Sequence, residues 1–131
     1  MIYGIGVDLV KVARLEHGLA RFGMHYADRL LAPEEHAAFF ACGEPARFLA
    51  KRFAAKEAFA KATGSGLRHP LHLRSIAVTH TPLGQPQLRF DDALAAWLRQ
   101  RGIGSHHLSL SDEQDYVVAY VILEKSRCSA P

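Results

Sequence analysis

Glu57 and Lys61 stand one helical turn apart in RFLAKRFAAKEAFAKATGSG, Arg47 to Gly66, and are the pair best suited to handling a phosphate. Residues four apart on a helix project from one face, so Phe53, Glu57 and Lys61 share a side, while Phe48, Arg52, Ala55, Phe59 and Ala62 run along another. Lys51, Arg52, Lys56 and Lys61 put four bases within eleven positions around that single carboxylate, and the alanines between them leave the surface open to a ligand. Such a face suits a phosphate ester that carries a divalent cation. The plainer alternative is a solvated pair of Glu57 and Lys61 contributing about 0.3–0.5 kcal/mol, with Lys51, Arg52 and Lys56 keeping a surface helix soluble. A second acid, Asp8, closes the glycine side of Ile2 to Val10, and its plain reading is a strand-end turn or a helix N-cap. If the long helix packs over those glycines, the two acids meet in one pocket and repel unless a proton or cation intervenes. Magnesium answers that need, since it binds through one or two carboxylates, keeps waters and completes its shell with phosphate oxygens.

Several elements must cooperate to position these groups. Ile2 to Val10 alternates, with Ile5, Val7 and Leu9 on one face and Gly4, Gly6 and Asp8 on the other, which predicts a strand whose bare side admits another backbone. From Val12, apolar Leu15, Leu19 and Phe22 run beside Lys11, Arg14, Gly18 and Arg21, an amphipathic helix with a basic outer face. Pro33, Glu34 and Glu35 read as the start of a short helix reaching Cys42, the two acids suiting its positive end. The long helix opens behind Pro45 and stops at Gly64 and Gly66, where a left-handed cap is cheapest. Gly64, Ser65 and Gly66 follow that helix and do not precede it, so they are a cap before they are a phosphate loop. Leu67 to Leu73 is a loop; the proline between His69 and His72, and the lack of a third ligand, argue against a metal there. Ser75 to His80 and Gln87 to Phe90 predict a hairpin around Thr81 to Pro86. Asp91 then N-caps a helix burying Ala93, Leu94, Trp97 and Leu98, and Gly102 stops it. His107 to Ser111 and Tyr116 to Glu124 predict a terminal hairpin around Asp112 to Asp115, before a disordered tail at 126–131.

FLAKRFAAKEAFAKATGSG, together with the opening GIGVDLVKVARLE, resembles the signature of the holo-acyl-carrier-protein synthases, the 4'-phosphopantetheinyl transferases of fatty-acid synthesis. The likeness runs from residue 2 to about residue 124. It implies transfer of phosphopantetheine from coenzyme A to a serine of apo acyl carrier protein, with Mg2+ held by Asp8 and Glu57 and with Lys61 as the cation on the pyrophosphate. It also implies coenzyme contacts from Arg52, Phe53, Gly64, Ser65, Gly84, Pro86 and His107, docking of the carrier on Arg14 and Arg21, and a homotrimer with sites between subunits. The base that takes the serine proton is left open between a metal-bound water and Glu57. Where many members of that family have a histidine, this chain has Asp112, which leaves the role of the position open.

With 131 residues, 49% of them apolar, the chain supports one core. The expected fold is α+β in a single domain, 1–125, a mainly antiparallel sheet wrapped on a long central helix, as the likeness to the phosphopantetheinyl transferases implies. A net charge of +3 leans toward an acidic or phosphorylated partner. Cys42 and Cys128 lack CxxC or disulfide-framework spacing, Asp8 stands where a signal peptide needs apolar residues, and no apolar run spans a membrane, so a cytoplasmic protein is expected. Two other functions compete. A nucleotide pyrophosphohydrolase would cluster several glutamates on one helix, whereas this one has Glu57 alone. A nucleic-acid-binding module would show more basic excess and exposed aromatics on its strands.

Overall fold

Strand β1 (Ile2–Lys11) leads into helices α1 (Val12–Phe22) and α2 (Met24–Leu30), and a 3-10 turn at Pro33–Glu35 precedes α3 (His36–Ala41) and the long α4 (Pro45–Thr63). A second 3-10 turn opens the hairpin of β2 (Ile76–His80) and β3 (Pro86–Phe90), and α5 (Asp92–Gln100), β4 (Ile103–Asp112) and β5 (Tyr116–Lys125) follow. In this computed structural model, which describes residues 1–127, every strand pairing is antiparallel. One sheet has the order β1-β5-β4 and the other is the β2-β3 hairpin. A side chain joins the two sheets: the Leu88 amide donates to Nε2 of His106 across 3.0 Å, which keeps that imidazole proton on Nδ1. The fold is α+β, as expected, with α4 at its centre.

Pro45 sits in the first turn of α4, where its missing N–H is no loss, and Gly64 at φ 85° closes the other end. Between them the helix is buried around most of its circumference, including Ala50, Ala54, Ala58, Phe59 and Ala62. The small residues have a geometric purpose. A Cβ on Gly6 would lie 1.9 Å from the Ala58 carbonyl oxygen, and one on Gly4 would lie 2.0 Å from that of Ala62, so α4 rides directly on the bare backbone of β1. At the other end of α4, Arg47 donates to Asp112 (2.8 Å) and to the carbonyls of Glu113 (2.7 Å) and Gln114 (2.6 Å). Asp112 therefore has a role, as an anchor for the start of the helix, with Lys51 at 3.5 Å as its second cation.

The opposite face of the three-stranded sheet is uncovered. Ile5, Val7, Leu9, Tyr116 and Tyr120 are between 44% and 65% exposed, a contiguous apolar surface on β1 and β5 of the kind that marks an interaction site. Two local expectations need correction. Gly18 belongs to the packed side of α1, and not to a basic stripe, because Tyr26 folds back across it after the turn at Gly23; Phe22 is left exposed. Ala93 is exposed because the short α5 buries only Leu94 and Leu98, one turn apart, with Trp97 half-buried under Arg101. Ser126, the first residue of the expected tail, is tied by its amide to the Gly102 carbonyl at 2.8 Å, and residues 128–131, with Cys128, lie outside the described residues.

His36 braces α2 against α3, Nδ1 facing the Pro33 carbonyl (3.1 Å) and Nε2 facing Asp28 (3.0 Å). Two acceptors favour the doubly protonated ring, and the bond to Asp28 leads in holding its pKa above the ordinary 6.5. A group whose folded pKa is raised stabilises fully below the unfolded value, and loses that contribution as pH rises through the folded one. Asp28→Asn should therefore lower the melting temperature relative to the parent at about pH 6, and the gap should shrink toward about pH 9. A gap that does not change across this range in thermal melts would remove the brace.

Candidate active site

Because α4 lies on the glycine side of β1, the side chains that end that side meet those on the facing turns of the helix. Nζ of Lys61 donates to Oδ1 of Asp8 (3.1 Å) and to the carbonyl of Val7 (2.9 Å). Only 15% of the Asp8 side chain is exposed against 54% for Lys61, so the acid is largely covered and the amine reaches solvent. Glu57, one turn back on the same face, is half-buried. Burial pushes its carboxyl above the usual range, the charge of Asp8 adds to that, and Lys61 and Arg14 pull the other way. Four groups from β1, α1 and α4 thus act on one another in a single place. The two carboxylates repel each other, and the two cations offset that repulsion at Glu57.

Arg14 reaches this place from α1, its guanidinium 5.2 Å from the ring centre of Phe53. Both residues line a cleft of about 760 Å³, which continues over Tyr26, Leu30 and Leu67 to Arg29, Arg74 and Asp91. Arg21 is exposed further along α1, over the ring of Phe22. The two docking residues named from sequence are thus on one helix, Arg14 lining the cleft and Arg21 two turns further on, outside that lining.

The expected coenzyme contacts do not gather in one place. Phe53 is in the cleft; Gly64 and Ser65 form the cap of α4, with the Ser65 hydroxyl donating to the Gly66 carbonyl (2.9 Å). Gly84 lies in the β2-β3 turn, and Pro86 lines a small cavity of about 270 Å³ together with His107, which shares no lining residue with the cleft. Register sharpens the separation. His107 pairs with Ile122, and Ile122 with Ile5, so His107 is on the uncovered apolar face of the sheet, where it bonds Glu124 at 2.8 Å. Asp8 pairs with Ala119 on the face covered by α4. Within one chain, Asp8 and His107 are on opposite sides of the sheet.

Arg52 and Lys56 are where the structure departs most from the sequence reading. Neither keeps a surface helix soluble: Lys56 is fully buried and 9% of the Arg52 side chain is exposed. Arg52 stacks over Phe48 and bonds Glu35, so any nucleotide contact falls to that exposed fraction. Glu35 is likewise a buried carboxylate, 2% exposed, and not a solvated helix-start charge. Sequence reasoning missed this cluster, and also Arg29 and Arg74 in the cleft. A signal for Lys56 was present: Phe53, Phe59 and Ala60, three or four positions away, share its face, and a lysine there needs an internal acid.

Comparison with known proteins identifies relatives of this sequence and fold. The family profile described as the 4'-phosphopantetheinyl transferase superfamily matches residues 4–121. The chain is 56% identical over 126 residues to the holo-(acyl-carrier-protein) synthase of Thiobacillus denitrificans, covering 96% of each. Its structure is similar to the crystal structure of the corresponding synthase from Neisseria meningitidis, with a TM-score of 0.93, 48% identity, and coverage of 95% of this chain and 100% of that one. It is also similar to a synthase from Bacillus anthracis solved in complex with CoA (3',5'-ADP), with a TM-score of 0.80, 32% identity, and coverage of 96% and 99%.

Proposed function

Because the chain belongs to the 4'-phosphopantetheinyl transferase superfamily, and within it to the holo-(acyl-carrier-protein) synthases, we propose that it moves the 4'-phosphopantetheine group of coenzyme A onto a serine of apo acyl carrier protein, releasing 3',5'-ADP. The convergence of Asp8, Glu57 and Lys61 between β1 and α4 carries this reading. In the reaction the serine oxygen bonds to the pantetheine-side phosphorus, the pyrophosphate P–O bond breaks, and the serine proton leaves to a base.

Asp8 and Glu57 fit a magnesium ion, because two hard oxygen donors are what that ion takes when phosphates complete its shell. Among the described residues no group of three or more His, Cys, Asp and Glu side chains could hold a metal, so the ion in this reading would need substrate oxygens and water to complete its shell. Bound there, the ion would neutralise charge on the pyrophosphate oxygens. Lys61, oriented by Asp8 and Val7, meets the charge that gathers on the leaving phosphate from a position set before the substrate arrives. Incubation with coenzyme A, magnesium and apo carrier tests the reading: the carrier should gain the mass of one phosphopantetheine. Cleavage of coenzyme A with no gain in mass would make the protein a hydrolase instead.

The docking face follows from charge. Arg14 and Arg21 on α1 suit an acidic helix of the carrier, an attraction that salt weakens. Arg14→Glu should raise the Michaelis constant for the carrier roughly tenfold, far more than that for coenzyme A. Arg21→Glu should act in the same direction from a position beyond Phe22. Unchanged carrier constants in both variants would place docking elsewhere. A homotrimer is part of the same proposal, supported by the uncovered face of β1 and β5 and by the placing of His107 on that face, away from Asp8. A neighbouring chain could then complete the site, and the coenzyme would lie between subunits. Light scattering at working concentration should give three chains, and a monomer would refute it. A cytoplasmic setting belongs with this reading.

A further inference from the structure

Glu35 has no part in the chemistry above, yet it bonds α4 and the turn that leads into Pro33, both of which contribute to the cleft, and also strand β2. Its Oε1 accepts from the Ala32 amide (2.8 Å) and from Lys56 (2.5 Å), and its Oε2 from Arg52 (2.9 Å) and the Val78 amide (3.0 Å). Lys56 donates as well to the Leu30 carbonyl at 2.7 Å, and Arg52 to that of Val78. One carboxylate thereby links the end of α2, the turn before α3, the middle of α4 and strand β2. The residues beside these contacts belong to the site: Lys56 precedes Glu57, Arg52 precedes Phe53, and Leu30 and Pro33 line the cleft with Phe53.

Stability alone is a weak reason for such a cluster. Buried ionic groups replaced by apolar side chains of similar volume often leave a protein equally stable or more so. Direction is what the cluster adds, since four bonds to one carboxylate must meet their angles together. Turning α4 by about 10° would carry a side-chain tip 5–6 Å from its axis by about 1 Å. A misplacement of that size at a reacting centre reduces rate by on the order of a hundredfold.

We propose that Glu35 is a positioning residue, which through Lys56 and Arg52 holds α4 in the rotation that sets Glu57 beside Asp8 and Lys61, and Phe53 in the cleft, and ties that helix to the α2 wall. The inference rests on the placing of Glu57 in the transfer site proposed above. Two variants test it. Lys56→Met exchanges the deepest cation for an apolar chain of similar length and leaves Glu35 with Arg52, whereas Glu35→Gln takes the charge from both bases. Circular dichroism at the assay temperature gives the folded fraction, and steady-state transfer to the carrier then gives kcat and KM per folded enzyme. Lys56→Met should stay folded and lose roughly ten- to a hundredfold in kcat, with KM for coenzyme A within about twofold. Either variant folded with kcat within about twofold of the parent would overturn the proposal. So would a loss that follows the folded fraction, or failure of both variants to fold, since each assigns the cluster to stability. The parent in the same assay keeps the two readings apart: if it modifies no carrier, the proposed function fails, whatever the variants do.

Discussion

Glu57→Ala is expected to abolish carrier modification, a fall of on the order of a thousandfold or more, while the protein melts at the same temperature or slightly higher. The rise follows from the sign of its pKa shift. Burial and Asp8 both raise the Glu57 carboxyl, so its ionised form is less welcome in the folded chain than in the unfolded one. At neutral pH that charge opposes folding, and its removal relieves strain that function requires. Asp8→Ala should abolish transfer equally while the protein stays folded, since the bond it removes is to a largely exposed amine. Intact mass measurement of the carrier after a long incubation reads both. Either variant retaining more than about a tenth of the parental rate would take its residue out of the site.

Lys61→Met is the second large effect, expected to lower kcat on the order of a hundredfold with little change in melting temperature. Its amine is more than half exposed, so its bond to Asp8 contributes little to folding in water. The same amine closed in beside a bound pyrophosphate loses that screening and stabilises the charge forming on the leaving group. Lys61→Arg should recover part of the rate, since it keeps the charge and alters the shape. A methionine variant with full kcat and a raised KM for coenzyme A would make Lys61 a binding residue without a share in the chemical step.

What could be read from sequence was governed by distance along the chain. The alternation of Gly4, Gly6 and Asp8 against Ile5, Val7 and Leu9, and the proline and glycine bounding α4, are local patterns and emerged with the right faces. That Asp8, Glu57 and Lys61 share a face followed from two such patterns and one condition, the packing of helix on strand, which the missing Cβ atoms of Gly4 and Gly6 make possible. Lys56 and Glu35 are 21 positions apart, and although the apolar neighbours of Lys56 point to its burial, nothing local names Glu35 as its partner. Their meeting depends on how α2, α4 and β2 stack, which periodicity does not contain. The same holds for His107 and Asp8. Each is on a recognisable strand, but which face each takes depends on the register of β5 between them.

Helix α4 is held at two points along its length, by Arg47 on the turn between β4 and β5, and by Ala58 and Ala62 against Gly6 and Gly4. One residue gained or lost between those points would swing everything after it by about 100° and slide it by about 1.5 Å. Glu57 would then turn away from Asp8, or Arg47 would lose its turn. Inherited insertions and deletions should therefore accumulate in segments such as Thr81 to Gln85, while the interval from Arg47 to Ala58 descends at constant length.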